Sequence, residues 1–297
     1  MSLIEINRMD KPYNIKVRKR TGELVDFSFE KLKNSLRHSG ANEETIERIM
    51  DYIGRNLYDN ITSDEIYRMA FEKLRDIRSV YASRYKLKKA IYELGPSGFP
   101  FERLVSVILE KNNYQTEIGA VIKGQCVQHE IDVLAQKKNR YHIIECKFHS
   151  DEKYICNIKV PLYIHSRYYD LKKNWHLDKP LEDVWIVTNT RFSEDAIRYA
   201  KCNNIKLLSW NYPKENGIKD RLTRLGVYPL TTLTLLSDEE KDELLENDIV
   251  LCSELYQNDY LLNKIGVSKT RKKRILDEIQ QLCQGLYMDK QNKSVKK

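Results

Sequence analysis

The sequence lacks the patterns that mark membrane-spanning, secreted and zinc-binding proteins. It has no apolar run of about 18 residues, the length that a membrane-spanning helix needs, and its first residues lack the apolar core of a signal peptide. The six cysteines are scattered without a CxxC pair, which argues against a zinc site and against a disulfide framework. We therefore expect a protein of the reducing cytoplasm with no membrane partner.

The chain is moderately basic, with a net charge of +8 and a sequence pI of about 9.0. This balance favours a polyanionic partner such as DNA, but the signal is modest because the charged residues mix both signs. A length of 297 residues corresponds to about two domains. The turn-forming run Gly95-Pro96-Ser97-Gly98 marks the clearest domain boundary.

The first predicted domain, residues 13–94, begins with a β-hairpin pattern and continues as helices. Residues 14–20 alternate apolar and basic side chains, and residues 24–29 continue as the partner strand. The helical part is indicated by Asn42 as a helix cap, by Thr62 and Glu65 as a capping box, and by a last helical segment over residues 80–94.

These features, in this order, resemble the ATP-cone, the nucleotide-binding regulatory domain of ribonucleotide reductases and of a repressor of their genes. The matching segments are residues 17–22, Phe27, Lys31, residues 62–66 and residues 80–85. The resemblance implies that ATP or dATP binds here, with the triphosphate held by basic residues and the base and ribose contacted by residues that open the third helix. The implied nucleotide-binding residues are Val17, Arg18, Lys19, Arg20, Lys31, Ser63 and Tyr67.

Two observations leave the nucleotide site open. Thr21 stands where the family usually has Asp, so the preference between ATP and dATP is undecided. Taken alone, the basic side chains Lys16, Arg18 and Arg20 are better explained as the solvated face of an edge strand, where charge discourages aggregation. The downstream motifs in register favour nucleotide binding instead.

The second predicted domain, residues 99–212, follows the order α-β-β-β-α-β-α-β. Strands joined through a helix are usually parallel and connected by right-handed crossovers, so this order predicts a mixed sheet flanked by helices. The predicted elements are a helix near residues 101–109, strands at 114–121, 127–135 and 141–148, a helix at 158–173, a strand at 184–188, a helix at 193–202 and a strand at 205–210.

Two neighbouring predicted strands contain an acidic motif. Asp132 lies on the first, and Glu145-Cys146-Lys147 lies on the next. Because side chains alternate along a strand, Glu145 and Lys147 point to the same face. Carboxylates held on rigid strands can bind a hard cation such as Mg²⁺, which takes oxygen ligands and keeps several waters. A lysine beside such a cation can orient a water that hydrolyses a phosphodiester.

This motif and the order of elements resemble the PD-(D/E)XK nuclease superfamily, and within it the Mrr-like restriction endonucleases. The matching residues are Asp132, Glu145 and Lys147, with Glu102 as the family's helical acid. The resemblance implies that Mg²⁺ or Mn²⁺ is bound by Asp132, Glu145 and the backbone carbonyl of Cys146. It further implies that Lys147 positions the attacking water and that Glu102 acts through a water or a second metal.

Two further residues on these strands support this hypothesis. Glu130 shares the face of Asp132, and His149 shares the face of Glu145 and Lys147, where it could contact phosphate. The alternative is a nuclease-like fold kept for DNA binding alone. Clustered carboxylates argue against that alternative, since like charges held close together are unfavourable without a cation.

The third predicted domain, residues 213–289, is helical. A capping box at Ser237 and Glu240 opens one helix. Residues 261–276 resemble a helix-hairpin-helix with its turn at Gly266, in which backbone amides at the second helix start bind a DNA phosphate. A solvated basic helix explains the segment equally well. The implied DNA-binding residues are Lys269, Arg271 and Lys272, and residues 290–297 are expected to form a disordered tail.

Together these patterns predict a multidomain chain of α+β and α/β class that acts as a metal-dependent DNA endonuclease in restriction of foreign DNA. ATP or dATP would regulate it through the cone, and a homo-oligomer is expected. Two alternatives stay open. One is a nucleotide-responsive DNA-binding regulator with an inert nuclease core, and the other is a repair or junction-resolving nuclease.

Overall fold

The computed structural model describes residues 15–284, and the chain divides into two compact units between Tyr85 and Lys86. The predicted start of the first domain at residue 13, the end of the third at residue 289 and the predicted tail at residues 290–297 lie outside the described residues. Across residues 15–284, no helix is both long and apolar enough to cross a membrane. Small N-terminal strands and helices, a mixed-sheet core and C-terminal helices confirm the predicted fold class.

The first unit contains a small sheet of three short strands. They are β1 (Lys16–Arg18), β2 (Leu24–Asp26) and β3 (Ile61–Thr62), in the order β2-β1-β3. β1 and β2 are antiparallel, which confirms the predicted hairpin. Their turn contains Gly22 at φ +86°, a left-handed conformation that glycine adopts without steric cost. β3 is parallel to β1, so the segment after β3 starts beside the end of β1.

Helices cover this sheet and supply most of the core of the first unit. Predicted caps hold two of them: the Asn42 side chain accepts a hydrogen bond from the backbone N–H of Thr45 at 2.9 Å, and Thr62 and Glu65 form a reciprocal capping box. The helices are α1 (Phe29–His38), α2 (Glu43–Asn56), α3 (Ser63–Ile77) and α4 (Ser79–Tyr92), the last of which begins in the first unit and ends in the second. Their buried apolar residues include Leu36, Ile46, Ile49, Ile53, Ala70 and Leu74.

The second unit is built on a five-stranded mixed sheet. Three antiparallel strands, β4 (Gln115–Lys123), β5 (Gln128–Lys137) and β6 (Arg140–Lys147), follow one another along the chain. β8 (Leu181–Thr188) is parallel to β6, and β10 (Lys206–Leu208) is parallel to β8, giving the order β10-β8-β6-β5-β4. The predicted mixed sheet is therefore confirmed.

Helices join the parallel strands, as crossover geometry requires. α5 (Phe99–Glu110) precedes the sheet, α6 (Lys159–Lys173) connects β6 to β8, and α7 (Glu194–Cys202) connects β8 to β10. The sequence patterns did not predict a second sheet of two very short parallel strands, β7 (Ile155–Cys156) and β9 (Arg191–Phe192). Two-residue strands carry no periodicity, so only the fold defines them.

The C-terminal helices belong to the same compact unit as this sheet. Lys86 Nζ donates to the carbonyl of Thr231 at 3.1 Å, and the Thr231 hydroxyl donates to the carbonyl of Ala90 at 2.6 Å. The predicted capping box at Ser237 and Glu240 is confirmed. The helices are α8 (Ile218–Leu225), α9 (Asp238–Glu246), α10 (Cys252–Gln257), α11 (Tyr260–Lys264) and α12 (Lys269–Gln284), with a short 3₁₀ helix at Leu230–Thr232.

Candidate active site

The end of β6 places Glu145 and Lys147 side by side, as strand alternation predicts. Lys147 Nζ lies 2.5 Å from Glu145 Oε1. The other carboxylate oxygen, Oε2, accepts a hydrogen bond at 2.6 Å from Nη1 of Arg167 on α6. Only 4% of the Glu145 side chain is exposed, so a buried carboxylate is compensated by two cations at once.

Asp132 lies on β5 and is tied to the same strand end. Its Oδ2 accepts a hydrogen bond at 2.6 Å from the backbone N–H of Cys146, the residue between Glu145 and Lys147. Burial, together with the nearby Glu145 carboxylate, raises the pKa of Asp132 to about 6. The structure thus brings Asp132, Glu145 and Lys147 together.

Glu102 lies in the first turn of α5, next to this group. The neighbouring Phe101 packs against Phe148, with ring centroids 5.8 Å apart, and this contact sets α5 beside the end of β6. Burial, followed by the negative charges of Asp132, Glu130 and Glu145, raises the pKa of Glu102 to about 7. Glu102 is therefore within electrostatic reach of the other acids, although no hydrogen bond between described residues joins it to them.

The donor atoms at this site suit a hard divalent cation. Asp132 and Glu145 offer carboxylate oxygens and Cys146 offers a backbone carbonyl, which are ligand types that Mg²⁺ accepts while keeping several waters. Within residues 15–284, no three side chains of His, Cys, Asp or Glu stand close enough together to hold an ion by themselves. The residues therefore fit a cation bound by two carboxylates, a carbonyl and water, and they do not fit a metal enclosed by side chains.

Lys147 is held in place by the parallel pairing of β6 with β8. Its backbone carbonyl accepts a hydrogen bond at 2.7 Å from the hydroxyl of Thr188, its partner in register. Burial lowers the pKa of Lys147, but the Glu145 carboxylate outweighs that effect, so the pKa is raised and the side chain stays cationic. The lysine is thus a fixed positive charge at the strand end.

The backbone of His149, which follows the end of β6, is held by the side chain of Asn189. Asn189, which follows β8, accepts a hydrogen bond from the His149 N–H at 2.9 Å and donates one to the His149 carbonyl at 2.7 Å. The His149 ring stacks on Tyr154, with centroids 3.6 Å apart. His149 therefore lies beside the site, with one buried ring nitrogen, Nε2, that has no hydrogen-bond partner among the described residues; that it shares the face of Glu145 and Lys147 stays a prediction.

Arg167 is the residue of the candidate site that the sequence patterns missed. Its Nη1 contacts Glu145 and its Nη2 donates to the backbone carbonyl of Glu130 on β5, so it bridges two strands of the sheet. It lies between Ile164 and Leu171, two of the buried positions of α6. A helical pattern identifies such a residue as part of a helix but does not show which distant strand its side chain reaches. No local signal could have found it.

The predicted nucleotide-binding residues are partly brought together in the first unit. Arg18 pairs in register with Thr62, and Arg20 Nε contacts Asp64 at 2.6 Å, so both lie at the start of α3, where Ser63 is the first residue. Lys19 pairs with Glu23 at 2.9 Å. The remaining predicted residues differ in setting: Val17 is buried in the core, Lys31 lies exposed on α1, and Tyr67 stacks on Tyr85 with centroids 5.2 Å apart.

The predicted C-terminal DNA-binding residues have unequal surroundings. α11, a turn with Gly266 at φ +81° and α12 follow one another in the order of the predicted hairpin motif. Arg271 donates to both carboxylate oxygens of Glu240 and to the carbonyl of Leu235, so its guanidinium is occupied within the chain. Lys272 pairs with Asp259 at 3.3 Å, whereas Lys269 is exposed.

Comparison with protein families identifies three successive domains. Residues 15–93 match the ATP-cone domain, residues 95–211 match the restriction endonuclease domain described as Mrr_cat, and residues 228–283 match the AF1548-like C-terminal domain. The ATP-cone and the Mrr-type nuclease domain confirm both resemblances drawn from the sequence. The third family covers the predicted helical region.

A curated protein and a solved structure are each similar to more than half of the chain. An uncharacterized protein from Archaeoglobus fulgidus is 35% identical over 172 residues, which are 58% of this chain and 95% of that protein. A crystal structure described as a protein of unknown function, AF1548, is 33% identical with a TM-score of 0.52, and the match covers 64% of this chain and 100% of that structure.

Proposed function

We propose that this chain, which belongs to the family of the AF1548-like proteins and joins an ATP-cone to a restriction endonuclease domain, is a divalent-cation-dependent DNA endonuclease regulated by ATP or dATP. Together, these domains are typical of a nuclease that also binds a nucleotide. The substrate, the cation and the regulation are the proposed parts.

The observation that supports cleavage most strongly is the group formed by Asp132, Glu145 and Lys147. Asp132 and Glu145, with the Cys146 carbonyl, would hold a Mg²⁺ or Mn²⁺ ion, which supplies positive charge to the scissile phosphate. Lys147, fixed 2.5 Å from Glu145, would donate a hydrogen bond to the attacking water and offset the negative charge that develops on the phosphate oxygens. Glu102, in the first turn of α5, is a supporting acid that would act through a water.

Nucleotide binding is proposed for the exposed cations at the end of β1. Arg18 and Arg20 lie beside the start of α3, where the helix dipole favours a phosphate, and Lys19 lies between them in the sequence. Ser63 and Tyr67 would contact the base and ribose, and Lys31 would reach the triphosphate from α1. The ion pairs that Lys19 and Arg20 now make are exposed, so a triphosphate can replace Glu23 and Asp64 at low energetic cost.

Regulation is proposed to act through α4, whose C-terminal turns belong to the second unit. The Tyr92 hydroxyl donates to the carbonyl of Asn189 at 3.2 Å, and Lys88 pairs with Glu152 at 3.3 Å. Asn189 also fixes His149, two residues after Lys147. A nucleotide that alters α4 would thereby alter the segment beside the catalytic lysine, provided that the two states bind nucleotide with different affinity.

The proposal is tested by incubating the chain with supercoiled, linear and branched DNA, with and without Mg²⁺, and with ATP, dATP or neither. Asp132→Ala and Lys147→Ala are each expected to lower cleavage at least about 100-fold. Asp195→Ala and Lys201→Ala, exposed positions on α7, are matched controls that should cut as wild type does. Equal cutting by all four variants would show that the site is misassigned.

The same assay separates the alternatives. DNA binding without Mg²⁺-dependent cutting would support a nucleotide-responsive regulator with an inert core. Preferential cutting of branched DNA would support a repair or junction-resolving nuclease. A cleavage rate that ignores ATP and dATP would remove the regulatory part. A role in restriction of foreign DNA, which the description of the matched domain supports, predicts that cells producing the chain reduce phage plating and that Lys147→Ala abolishes this reduction.

A further inference from the structure

Arg167 is the best-anchored cation at the proposed active site. Its Nη1 donates to Oε2 of Glu145 at 2.6 Å, and its Nη2 donates to the backbone carbonyl of Glu130. Only 14% of its side chain is exposed. One guanidinium therefore contacts a proposed cation ligand on β6 and the backbone of β5, two residues before the other proposed ligand, Asp132.

We propose that Arg167 is the counter-ion of Glu145 in the metal-free protein and that it makes divalent-cation binding conditional on a bound phosphodiester. This inference rests on the proposed function, because it takes Asp132 and Glu145 as the carboxylates that hold the cation. Arg167 is a positioning residue, since it acts on the cation through the Glu145 carboxylate that both of them contact.

The charges in the site explain why a cation alone binds weakly. Ionised Asp132 and Glu145 bring two negative charges, and Lys147 and Arg167, which both contact Glu145, bring two positive charges. A divalent cation that enters alone adds two positive charges beside two fixed ones. Repulsion between like charges is stronger in a partly buried site than in water, because the effective dielectric constant is lower. The described contacts join neither Lys147 nor Arg167 to the carboxylates of Glu102 and Glu130, so these acids compensate the site less directly.

A phosphodiester of DNA adds a negative charge that offsets the charge of the entering cation. Guanidinium groups form strong, charge-assisted hydrogen bonds with phosphate oxygens. A cation held by Glu145 would compete with Arg167 for this carboxylate. Arg167 would then remain anchored through Nη2 on the Glu130 carbonyl, which leaves Nη1 for a phosphate oxygen. Cation and DNA therefore strengthen each other's binding, and by linkage the effect is the same in both directions.

The test measures Mn²⁺ binding to the full chain by electron paramagnetic resonance of the free ion, which needs no cleavage. Affinity is determined for Mn²⁺ alone and again with a saturating phosphorothioate duplex, which keeps the backbone charge but resists hydrolysis. In the wild-type chain the duplex is expected to strengthen Mn²⁺ binding at least about fivefold, the lower end of usual coupling. This result distinguishes coupled loading from independent loading.

Arg167→Gln removes the charge but keeps a hydrogen-bond donor for Glu145. It is expected to bind Mn²⁺ alone about tenfold more tightly than wild type, which corresponds to about 1.4 kcal/mol, and to gain correspondingly less from the duplex. Arg167→Lys, which keeps the charge, should restore weak binding of Mn²⁺ alone. A role limited to holding the fold predicts the opposite for Arg167→Gln, namely weaker Mn²⁺ binding.

Two controls make failures of the inference and of the proposed function distinguishable. Arg198→Gln removes an exposed cation on α7 that pairs with Asp195. It should leave the Mn²⁺ affinity unchanged, both without and with the duplex. Asp132→Asn should abolish the Mn²⁺ binding under study. If Asp132→Asn binds Mn²⁺ as wild type does, the metal site and this inference both fail.

If binding depends on Asp132 but Arg167→Gln binds Mn²⁺ alone no more tightly than wild type, only the inference is overturned. If circular dichroism shows that Arg167→Gln is unfolded, the inference is tested by Mn²⁺ binding to the wild-type chain with and without the duplex. A duplex that does not strengthen Mn²⁺ binding to the wild-type chain overturns the proposal, and one that does supports it.

Discussion

The two units of the molecule contain ion pairs of the same chemistry in opposite settings. In the first unit, Lys19 pairs with Glu23 and Arg20 with Asp64, and between 43% and 61% of each side chain is exposed. In the second unit, Glu145 pairs with two cations and only 4% of its side chain is exposed. Exposed pairs contribute about 0–1 kcal/mol, whereas removing one partner of a buried pair costs about 3–5 kcal/mol.

This difference matches the chemistry proposed for each unit. A site that exchanges protein carboxylates for a nucleotide needs pairs that break at little cost, and exposed pairs in water do so. A site that orients a water and a phosphate needs charges that do not move, and burial together with several partners keeps Glu145 and Lys147 in place. In the proposed function, the same residue types therefore serve binding on one unit's surface and positioning in the other.

The largest expected effect comes from breaking the buried side of the comparison. Glu145→Gln leaves Lys147 and Arg167 without their carboxylate, so the free energy of unfolding of the second unit should fall by about 3 kcal/mol. Urea unfolding followed by tryptophan fluorescence measures this unit alone, because every tryptophan lies within it: Trp175, Trp185 and Trp210.

The matched change on the exposed side is Glu23→Gln, which removes one partner of the Lys19 pair. The substitution should change the free energy of unfolding, measured by circular dichroism in urea, by no more than about 0.5 kcal/mol. Similar losses for Glu23→Gln and Glu145→Gln would mean that burial does not separate the two sites, and the comparison would fail.

A somewhat smaller effect on the free energy of unfolding is expected for substitution of Asn189. This prediction tests whether the second unit holds its candidate site rigidly. Asn189→Ala removes both hydrogen bonds to the His149 backbone in a buried setting, so the second unit should lose about 1–3 kcal/mol. Tryptophan fluorescence in urea measures the loss. Asn211→Ala, at an exposed position, is the control and should be neutral; a neutral Asn189→Ala would show that the segment after Lys147 is held by other contacts.

On the exposed side, Arg20→Gln should weaken ATP or dATP binding about tenfold, which corresponds to about 1.4 kcal/mol. The free energy of unfolding should change by less than about 0.5 kcal/mol. Removing one phosphate-contacting charge affects binding, but an exposed pair adds little to the fold. Isothermal titration calorimetry measures the affinity. Arg55→Gln, which loses a similar exposed pair with Asp51 on α2, should bind nucleotide normally, and equal weakening by both variants would indicate only a general charge effect.

The smallest expected effect concerns the C-terminal helices, where exposed and engaged cations lie close together. Lys269→Ala should weaken duplex binding a fewfold and reduce the slope of log affinity against log salt by about 1, because one phosphate contact is lost. Arg271→Ala should instead destabilise the second unit, since Arg271 binds Glu240 and the Leu235 carbonyl. Fluorescence anisotropy of a labelled duplex at several salt concentrations measures the affinity and the slope for both variants. An unchanged slope for Lys269→Ala would contradict its proposed contact with DNA.

Much of the fold was predictable because its signals are local. The hairpin of the first unit, the caps at Asn42, Thr62 and Ser237 and the strands of the central sheet follow from side-chain patterns a few residues long. The two-residue strands β7 and β9 were not predictable, because a pair of residues has no period. Their pairing depends on where α6 and β8 bring distant parts of the chain.

The sequence alone determined which residues could form the candidate site. A period of two places Glu145 and Lys147 on one face of a strand, and the order of strands places Asp132 on a neighbour. Only the tertiary structure decided how these charges are balanced. Arg167 and Asn189 reach the site from α6 and from the end of β8, and which distant groups meet is set by crossover geometry and strand register, which no local spacing encodes.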